Sequence, residues 1–346
     1  MSRARSHRLI TAVASGTALA TTVLLTGCSS SADSDSSSAS SSSSASSKNL
    51  SVSMVTPEST GEYYGAMYCG AKKAATEAGI KLKIQGTPET TVDAEMQVLQ
   101  SVLATDPSGL LLTVWDNEAF NQTLKPYTGK GKPLVMPDSF LSDDNYLQSI
   151  RTDSYQSSYD AAVEALKDFG IDSGKVLIVT DSPGNAIQSD RAKGFKDAIE
   201  KNSGLGVLKY QYVGGDSAKA SQAVSSAFAA NPDLAVVFST NIGAGTGVAS
   251  GITSSHAKDV THIGYDTSKA QVEALRAGKY DALIGQSPYQ MGYDSMELMG
   301  QVLSGKKDAS SVKEKTVNTP WKLVTADNVN SADSAKFLYS TDCSAQ

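Results

Sequence analysis

The stretch VTHIGYDTSKAQVEALRAGKYDALIGQSPYQMG, Val260 to Gly292, decides the fold. Val260 to Tyr265 and Asp281 to Gln286 read as short strands, and Ser268 to Arg276 between them has helical period. A further helix, Gln290 to Leu303, follows. Two strands joined through a helix lie parallel, because the crossover returns the chain to the same end of the sheet.

The same alternation runs upstream. Asn49 to Val55, Lys81 to Gln85, Gly109 to Trp115, Pro133 to Met136 and Gln148 to Thr152 read as strands. Helices Glu62 to Ala78, Ala94 to Ala104, Glu118 to Tyr127 and Tyr155 to Phe169 lie among them. Gly109 to Trp115 (GLLLTVW) is continuously apolar, as expected of a strand covered on both faces. The series then restarts, with strands Lys175 to Thr180, Gly206 to Val213 and Leu234 to Ser239, and helices Gln188 to Lys201, Ala218 to Ala230 and Ile242 to Ser254. Two such series predict an α/β protein with two doubly wound, parallel-sheet lobes.

In such sheets ligands sit off the carboxyl ends of the strands. The residues just past those ends are Glu62, Tyr63 and Tyr64, then Trp115, Asp116 and Asn117, then Asp138. The second series adds Asp181, Asn241, Asp266 and Gln286. Aromatic faces cover the C–H side of a sugar ring, while Asp, Asn and Gln bridge neighbouring hydroxyls. Singly, Asp and Asn are also what helix caps and turns select, and Trp115 is also what a core selects. As a set at matching strand ends they predict a site for a polyhydroxylated guest.

From Asn49 to about Leu303 the chain resembles the ribose-binding-protein family, the class I periplasmic sugar-binding proteins. The quoted stretch is similar to that family's strand–Asp–helix–Gly-Lys–strand–Gln-x-Pro-Tyr-x-Met-Gly pattern. Also similar are VVFSTNIGAGTG (Val236 to Gly247), SDRAKGF (Ser189 to Phe195) and TDSYQSSYDAAVEAL (Thr152 to Leu166). The resemblance implies a type I periplasmic-binding-protein fold whose lobes are joined by a multi-strand hinge, with crossings near Arg151–Asp153, Gln286–Tyr289 and Pro320. The N-terminal lobe would then comprise residues 48–151 plus 288–319, and the C-terminal lobe 152–287 plus 320–346. It also implies that Asn241, Asp266 and Gln286 line the sugar site, with Tyr63 and Tyr64 as stacking rings and Asp138 after the fourth strand. The chain departs from ribose binders at three places. Ser139 replaces an Arg, Gly214-Gly215 stands where those proteins carry an aromatic, and Ser189 beside Gln188 replaces another Arg, so that Gln188 and Ser189 become the expected ligand contacts there. Two lost guanidinium forks count against ribose itself; Trp115, next to Asp116, would cover a larger or differently puckered ligand.

The N-terminus predicts where the protein works. Arg3, Arg5 and Arg8 precede an uncharged apolar run that ends in Leu25-Thr26-Gly27-Cys28. This is a secretory signal, residues 1–27, and its end resembles the bacterial lipobox, which implies cleavage before Cys28 and lipid on its sulfur. Ser29 to Ser47 follows with 14 Ser, 3 Ala and 2 Asp. Nothing there offsets the entropy of ordering the backbone, so residues 28–47 are expected to be a flexible tether spanning roughly 25 Å. Such a lipoprotein sits outside the cytoplasm, held to the cell membrane by a lipid. Cys69 and Cys343 remain: an even pair in an oxidising compartment suggests a disulfide from the first helix to the C-terminus, against two buried free thiols.

About 299 residues after the tether suit two lobes rather than one core. Beyond the signal, 36 acidic residues outnumber the basic ones and no basic patch stands out, which argues against nucleic acid. No further segment is apolar enough to span a bilayer. His256 and His262 fall at no strand end facing the cleft. No G-x-S-x-G, H-E-x-x-H or phosphate loop is present. Ser255-His256-Ala257-Lys258 fits S-x-x-K without its partner motifs, and the glycines of Gly243-Ala244-Gly245-Thr246-Gly247 lack dinucleotide spacing. The expectation is a monomeric solute receptor, with no cofactor, metal or catalysis, that delivers a monosaccharide to an ABC permease. The alternative is a ligand-loaded sensor, for a sugar or an autoinducer-2-like signal, that acts on a membrane signalling partner.

Overall fold

The computed structural model describes Leu50 to Ser344, apart from Lys258. The expected secretory signal, the expected tether and Cys28 lie outside the described residues. In chain order the elements are β1 (Ser51–Thr56), α1 (Glu62–Ala78), β2 (Lys81–Gly86), α2 (Val92–Ala104), β3 (Gly109–Leu112), α3 (Asn121–Thr128), β4 (Leu134–Pro137) and β5 (Gln148–Arg151). Then come α4 (Ser154–Asp168), β6 (Lys175–Thr180), α5 (Ala186–Asn202), β7 (Gly206–Val207), β8 (Gln211–Tyr212), α6 (Ser217–Ala230), β9 (Leu234–Ser239) and α7 (Ile242–Ser254). The last are β10 (Thr261–Tyr265), α8 (Lys269–Arg276), β11 (Ala282–Gly285), α9 (Pro288–Leu303), β12 (Thr316–Asn318), β13 (Lys322–Thr325) and α10 (Ala332–Ala335).

Two sheets result. The first has the order β12-β5-β4-β3-β1-β2, all parallel. The second runs β13-β11-β10-β9-β6-β7, with β8 also on β6, and only β13 is antiparallel to its neighbour. Central strands bury both faces, which is why they read as unbroken apolar runs. In the first sheet Val52, Met54 and Leu111 pack under α1 and α9, while Val55, Leu110 and Leu112 pack with residues of α2 and α3. In the second, Val176, Ile178 and Val236 meet α4 and α5, and Leu177, Val179 and Val237 meet α6 and α7.

Caps set several helix starts. Asp153 accepts from Gln156 N at 2.9 Å to begin α4, and Asn241 accepts from Ala244 N at 2.8 Å to begin α7. Ser268 and Gln271 form a reciprocal capping box at α8. Asn185 does the same service for α5, so that helix begins before the expected Gln188. The expected single strand Gly206 to Val213 is broken in two. Val176 pairs with Val207 but Val179 with Gln211, so one extra residue bulges from the outer strand. β3 likewise stops at Leu112, three residues before Trp115.

The chain passes between the sheets after β5, after β11 and between β12 and β13. After β11, α9 lies back on α1 so closely that a Cβ on Gly70 would fall 1.9 Å from Tyr289 O, and one on Gly292 2.0 Å from Met67 O. The tail passes back once more. Phe337 packs on Gly285 of the second sheet, Tyr339 joins the core cluster of Tyr63 and Met291, and Cys343 is disulfide-bonded to Cys69 of α1. The last described residues therefore lie against the first helix. Among the described residues no helix is long and apolar enough to cross a membrane.

A cross-link closing a chain segment this long restricts the unfolded state strongly. Replacing Cys69 and Cys343 by Ser is expected to cost about 2–5 kcal/mol. Thermal melts of the oxidised protein, the reduced protein and the double variant check it; three superimposable melts would contradict a stabilising bond.

Candidate ligand-binding cleft

Where the carboxyl ends of the two sheets face each other lies a cavity of about 500 Å³. From the first sheet it is lined by Tyr63, Tyr64, Trp115 and Asp138, together with Glu58 and Thr90. From the second come Asp181, Gln188, Arg191, Asn241, Asp266 and Gln286, with Ser182, Asn185 and Gly214-Gly215 beside them.

Its centre is a charged knot. Arg191 is 3 % exposed, and its guanidinium lies 3.7 Å from the centroid of the Tyr265 ring and donates to Thr240 O at 2.9 Å. Ser157 fixes that ring through a 2.7 Å bond between the two hydroxyls. Burial alone pulls the Arg191 pKa down, but Tyr265, Asp266, Asp138 and Tyr63 hold it above its ordinary value, so the charge is permanent. Asp266 Oδ1 accepts from Gln286 Nε2 at 2.8 Å and from the Tyr339 hydroxyl at 3.0 Å. Asp138 is pushed up to about 6 by burial, against the opposing pull of Arg191 and the Tyr63 hydroxyl. Both aspartates sit at positive φ, 54° for Asp138 and 78° for Asp266. That conformation turns each side chain out of its strand direction, and aspartate tolerates it better than most residues. Backbone bonds lock it: Asp138 N donates to Ile150 O and Asp266 N to Ile284 O, each at 2.9 Å.

Around the knot, hydrogen bonding is incomplete. Asp181 Oδ1, Gln188 Oε1, Arg191 Nε and Gln286 Oε1 are buried without a partner. Each such atom costs about 1–3 kcal/mol. Four on residues lining one cavity are a set of groups prepared for a polar guest. Aromatic walls complete it. The Tyr63 and Tyr64 rings meet edge to face at 5.2 Å, and Tyr63 meets Tyr339 at 5.3 Å. Trp115 is held from behind, its backbone N donating to Glu95 Oε2 at 3.0 Å.

The sheets approach at two places at the mouth, and one hydrogen bond links them there. Lys269 N, in the first turn of α8, donates to Glu62 Oε2 at the start of α1. A Cβ on Gly184 would come 3.7 Å from Asp116 Oδ2, so the loops after β3 and β6 nearly touch.

Of the expected ligand residues, Tyr63, Tyr64, Trp115, Asp138, Gln188, Asn241, Asp266 and Gln286 line the cavity, as does Asp181. Glu62, Asp116, Asn117 and Ser189 do not. Asp116 Oδ1 is taken by Glu118 N and Ala119 N as a turn cap, at 2.8 and 2.9 Å. Ser189 follows Gln188 by one helical step, which rotates it off the cavity face, and its Oγ donates to Pro183 O. Asn241 Oδ1 is used by its own helix, leaving the amide group for a guest. Sequence reasoning did not count Arg191 as a contact, although it lies one turn from Gln188 and so on the same helix face. Glu58 and Asn185 carried no signal: one sits in a loop, the other is a helix cap. His262 is buried in β10, bonded to Ser239 Oγ and Lys279 O, with its pKa pushed down to about 3 by burial, and it does not line the cavity. Among the described residues no three His, Cys, Asp or Glu are grouped to hold a metal.

The model for the family described as periplasmic binding protein domain matches residues 52–307. The ribose import binding protein of Bacillus subtilis (strain 168) is 25% identical over 267 residues, 76% of this chain and 83% of that one. The ribose import binding protein of Salmonella typhimurium is 23% identical over 257 residues, 74% of this chain and 86% of the other. Among solved structures, an ABC transporter solute binding protein from Agrobacterium vitis, bound with alpha-D-tagatopyranose, superposes with a TM-score of 0.79 at 26% identity, covering 84% of this chain and all of that one.

Glu95 gives the cleft a pH signature. Burial pushes its pKa from 4.5 up to about 8, with a bond from Trp115 N opposing. The native state then keeps a proton that the unfolded chain has lost, so stability falls as pH rises from about 4.5 through about 8. Asp138 adds the same sign up to about 6. The ligand-free melting temperature is expected to drop between pH 5 and pH 8, and Glu95→Gln to flatten that drop. An equally steep profile in the variant would assign the effect elsewhere.

Proposed function

The chain belongs to the periplasmic binding protein family, and we propose that it captures a monosaccharide or similar small polyol in this cleft and delivers it to an ABC permease. The observation that carries the reading is the set of four unpartnered buried polar atoms beside Tyr63, Tyr64 and Trp115. Rings accept the C–H faces of a guest, and the unpaired oxygens and guanidinium N–H accept and donate to its hydroxyls. The relatives named for ribose import and the neighbour bound with alpha-D-tagatopyranose support a sugar-sized guest. Ribose itself fits less well, because Ser139 and Ser189 stand where ribose binders carry guanidinium forks.

Residues 48–151 with 288–319 would act as one lobe and 152–287 with 320–346 as the other, except that Tyr339 and Cys343 at the end of the tail pack against the first. A guest bridging both binds the closed arrangement better than the open one and so shifts the equilibrium towards it. The permease would read the closed shape. Lipid on Cys28 and the serine tether would keep the receptor, as a monomer, beside the membrane and raise its local concentration there. No reaction is ascribed to the site: the guest is released unaltered.

A thermal-shift screen over pentoses, hexoses, ketoses and polyols identifies the guest, because a ligand of the native state raises its melting point. Asp266→Ala should then weaken binding by about 2 kcal/mol, roughly thirtyfold, since it removes the acceptor that orders Gln286 and Tyr339. Calorimetry showing wild-type affinity would take Asp266 out of the site.

A further inference from the structure

One corner of the cleft is not matched to a neutral sugar. Four carboxylates line the cavity, on Glu58, Asp138, Asp181 and Asp266, while Arg191 is the one Lys or Arg among the described residues that line it. Asp138 and Asp266 share the field of that guanidinium. Asp181 does not: burial raises its pKa and only the Ser182 side chain opposes the rise. It is 2 % exposed, and its Oδ1 has no hydrogen-bond partner. Gln188 Oε1, another buried acceptor without a partner, lines the same side.

The backbone leaves room in front of Asp181. Gly214 and Gly215 both adopt positive φ, 60° and 71°, and a Cβ at 215 would stand 3.7 Å from Asp181 Oδ1. Any larger side chain there would grow into that corner. The corner thus has unfilled space at the two glycines, is acceptor-rich and is short of positive charge. A hydroxyl could bond the oxygen but would leave the buried charge uncompensated. A compact cation with several donors answers both needs.

We propose that Asp181, with Gln188 and the Gly214-Gly215 opening, forms a subsite for a protonated amino group, so that the guest is an amino sugar or amino polyol. The inference rests on the sugar-binding reading and narrows it. The ring and hydroxyls of the guest occupy the aromatic walls and the Asp266–Gln286 side, and the ammonium faces Asp181 and donates to its Oδ1 and to Gln188 Oε1.

Calorimetry at pH 7 with matched compounds tests it: glucosamine, glucose and N-acetylglucosamine, the corresponding galactose and mannose triples, and 1-amino-1-deoxy-D-glucitol against D-glucitol. In the series that binds, the amine is expected to bind at least tenfold tighter than its neutral parent, with acetylation abolishing the gain. Asp181→Asn should erase the preference, so that the amine and its neutral parent bind within about threefold of each other. If that variant fails to fold, the amine-against-acetyl comparison on the wild-type protein decides alone. A neutral parent that binds as tightly as its amine, or an Asp181→Asn protein that keeps the preference, overturns the subsite and leaves the polyol reading standing. Binding in none of the series overturns the subsite; the polyol reading falls with it only if the pentoses, ketoses and polyols of the thermal-shift screen also fail to bind.

Discussion

A single buried cation organises this molecule's interior. Arg191 cannot shed its proton, so its burial demands compensating groups from every side. Tyr265 lies under it, Thr240 O accepts from it, Asp266 flanks it from β10, and Asp138 approaches from the other sheet. The first three contacts stay within one sheet and its helices. The fourth joins the two sheets, because Asp138 follows β4 of the first and Arg191 belongs to α5 on the second, and attraction between buried charges is stronger than in water.

The same knot explains two backbone oddities. Asp138 and Asp266 both occupy the left-handed region at corresponding places, one past a strand of each sheet. A straight continuation of the strand would carry each carboxylate past the cavity. The twist is held by one backbone bond apiece to a neighbouring strand, so the sheets themselves aim the acids. Such local strain is tolerated where surrounding structure over-determines it.

Much of this was legible beforehand. The βαβ alternation pointed to both sheets, because parallel strands buried on two faces leave apolar runs between helices. Residues at strand ends, such as Asp138, Asp266 and Gln286, could be found by place alone. Asp116 misled because the same side chain that binds hydroxyls also caps turns, and sequence does not distinguish the uses. Arg191 was passed over because helix residues reach a cleft by rotation about the axis, not by adjacency to a strand. Glu58 and Glu95 were hidden for a different reason: their relation to the cavity depends on how a loop and α2 fold over its edge. The split of β7 from β8 turns on one bulged residue, which no periodicity marks.

The disulfide between Cys69 and Cys343 has a mechanical meaning. It brings the far end of the described chain onto the same half that Leu50 and β1 begin. Both ends of the described chain therefore lie on the half built on the first sheet, so a pull on either is borne there. Among the described residues the half built on β6, β9 and β10 carries no such end.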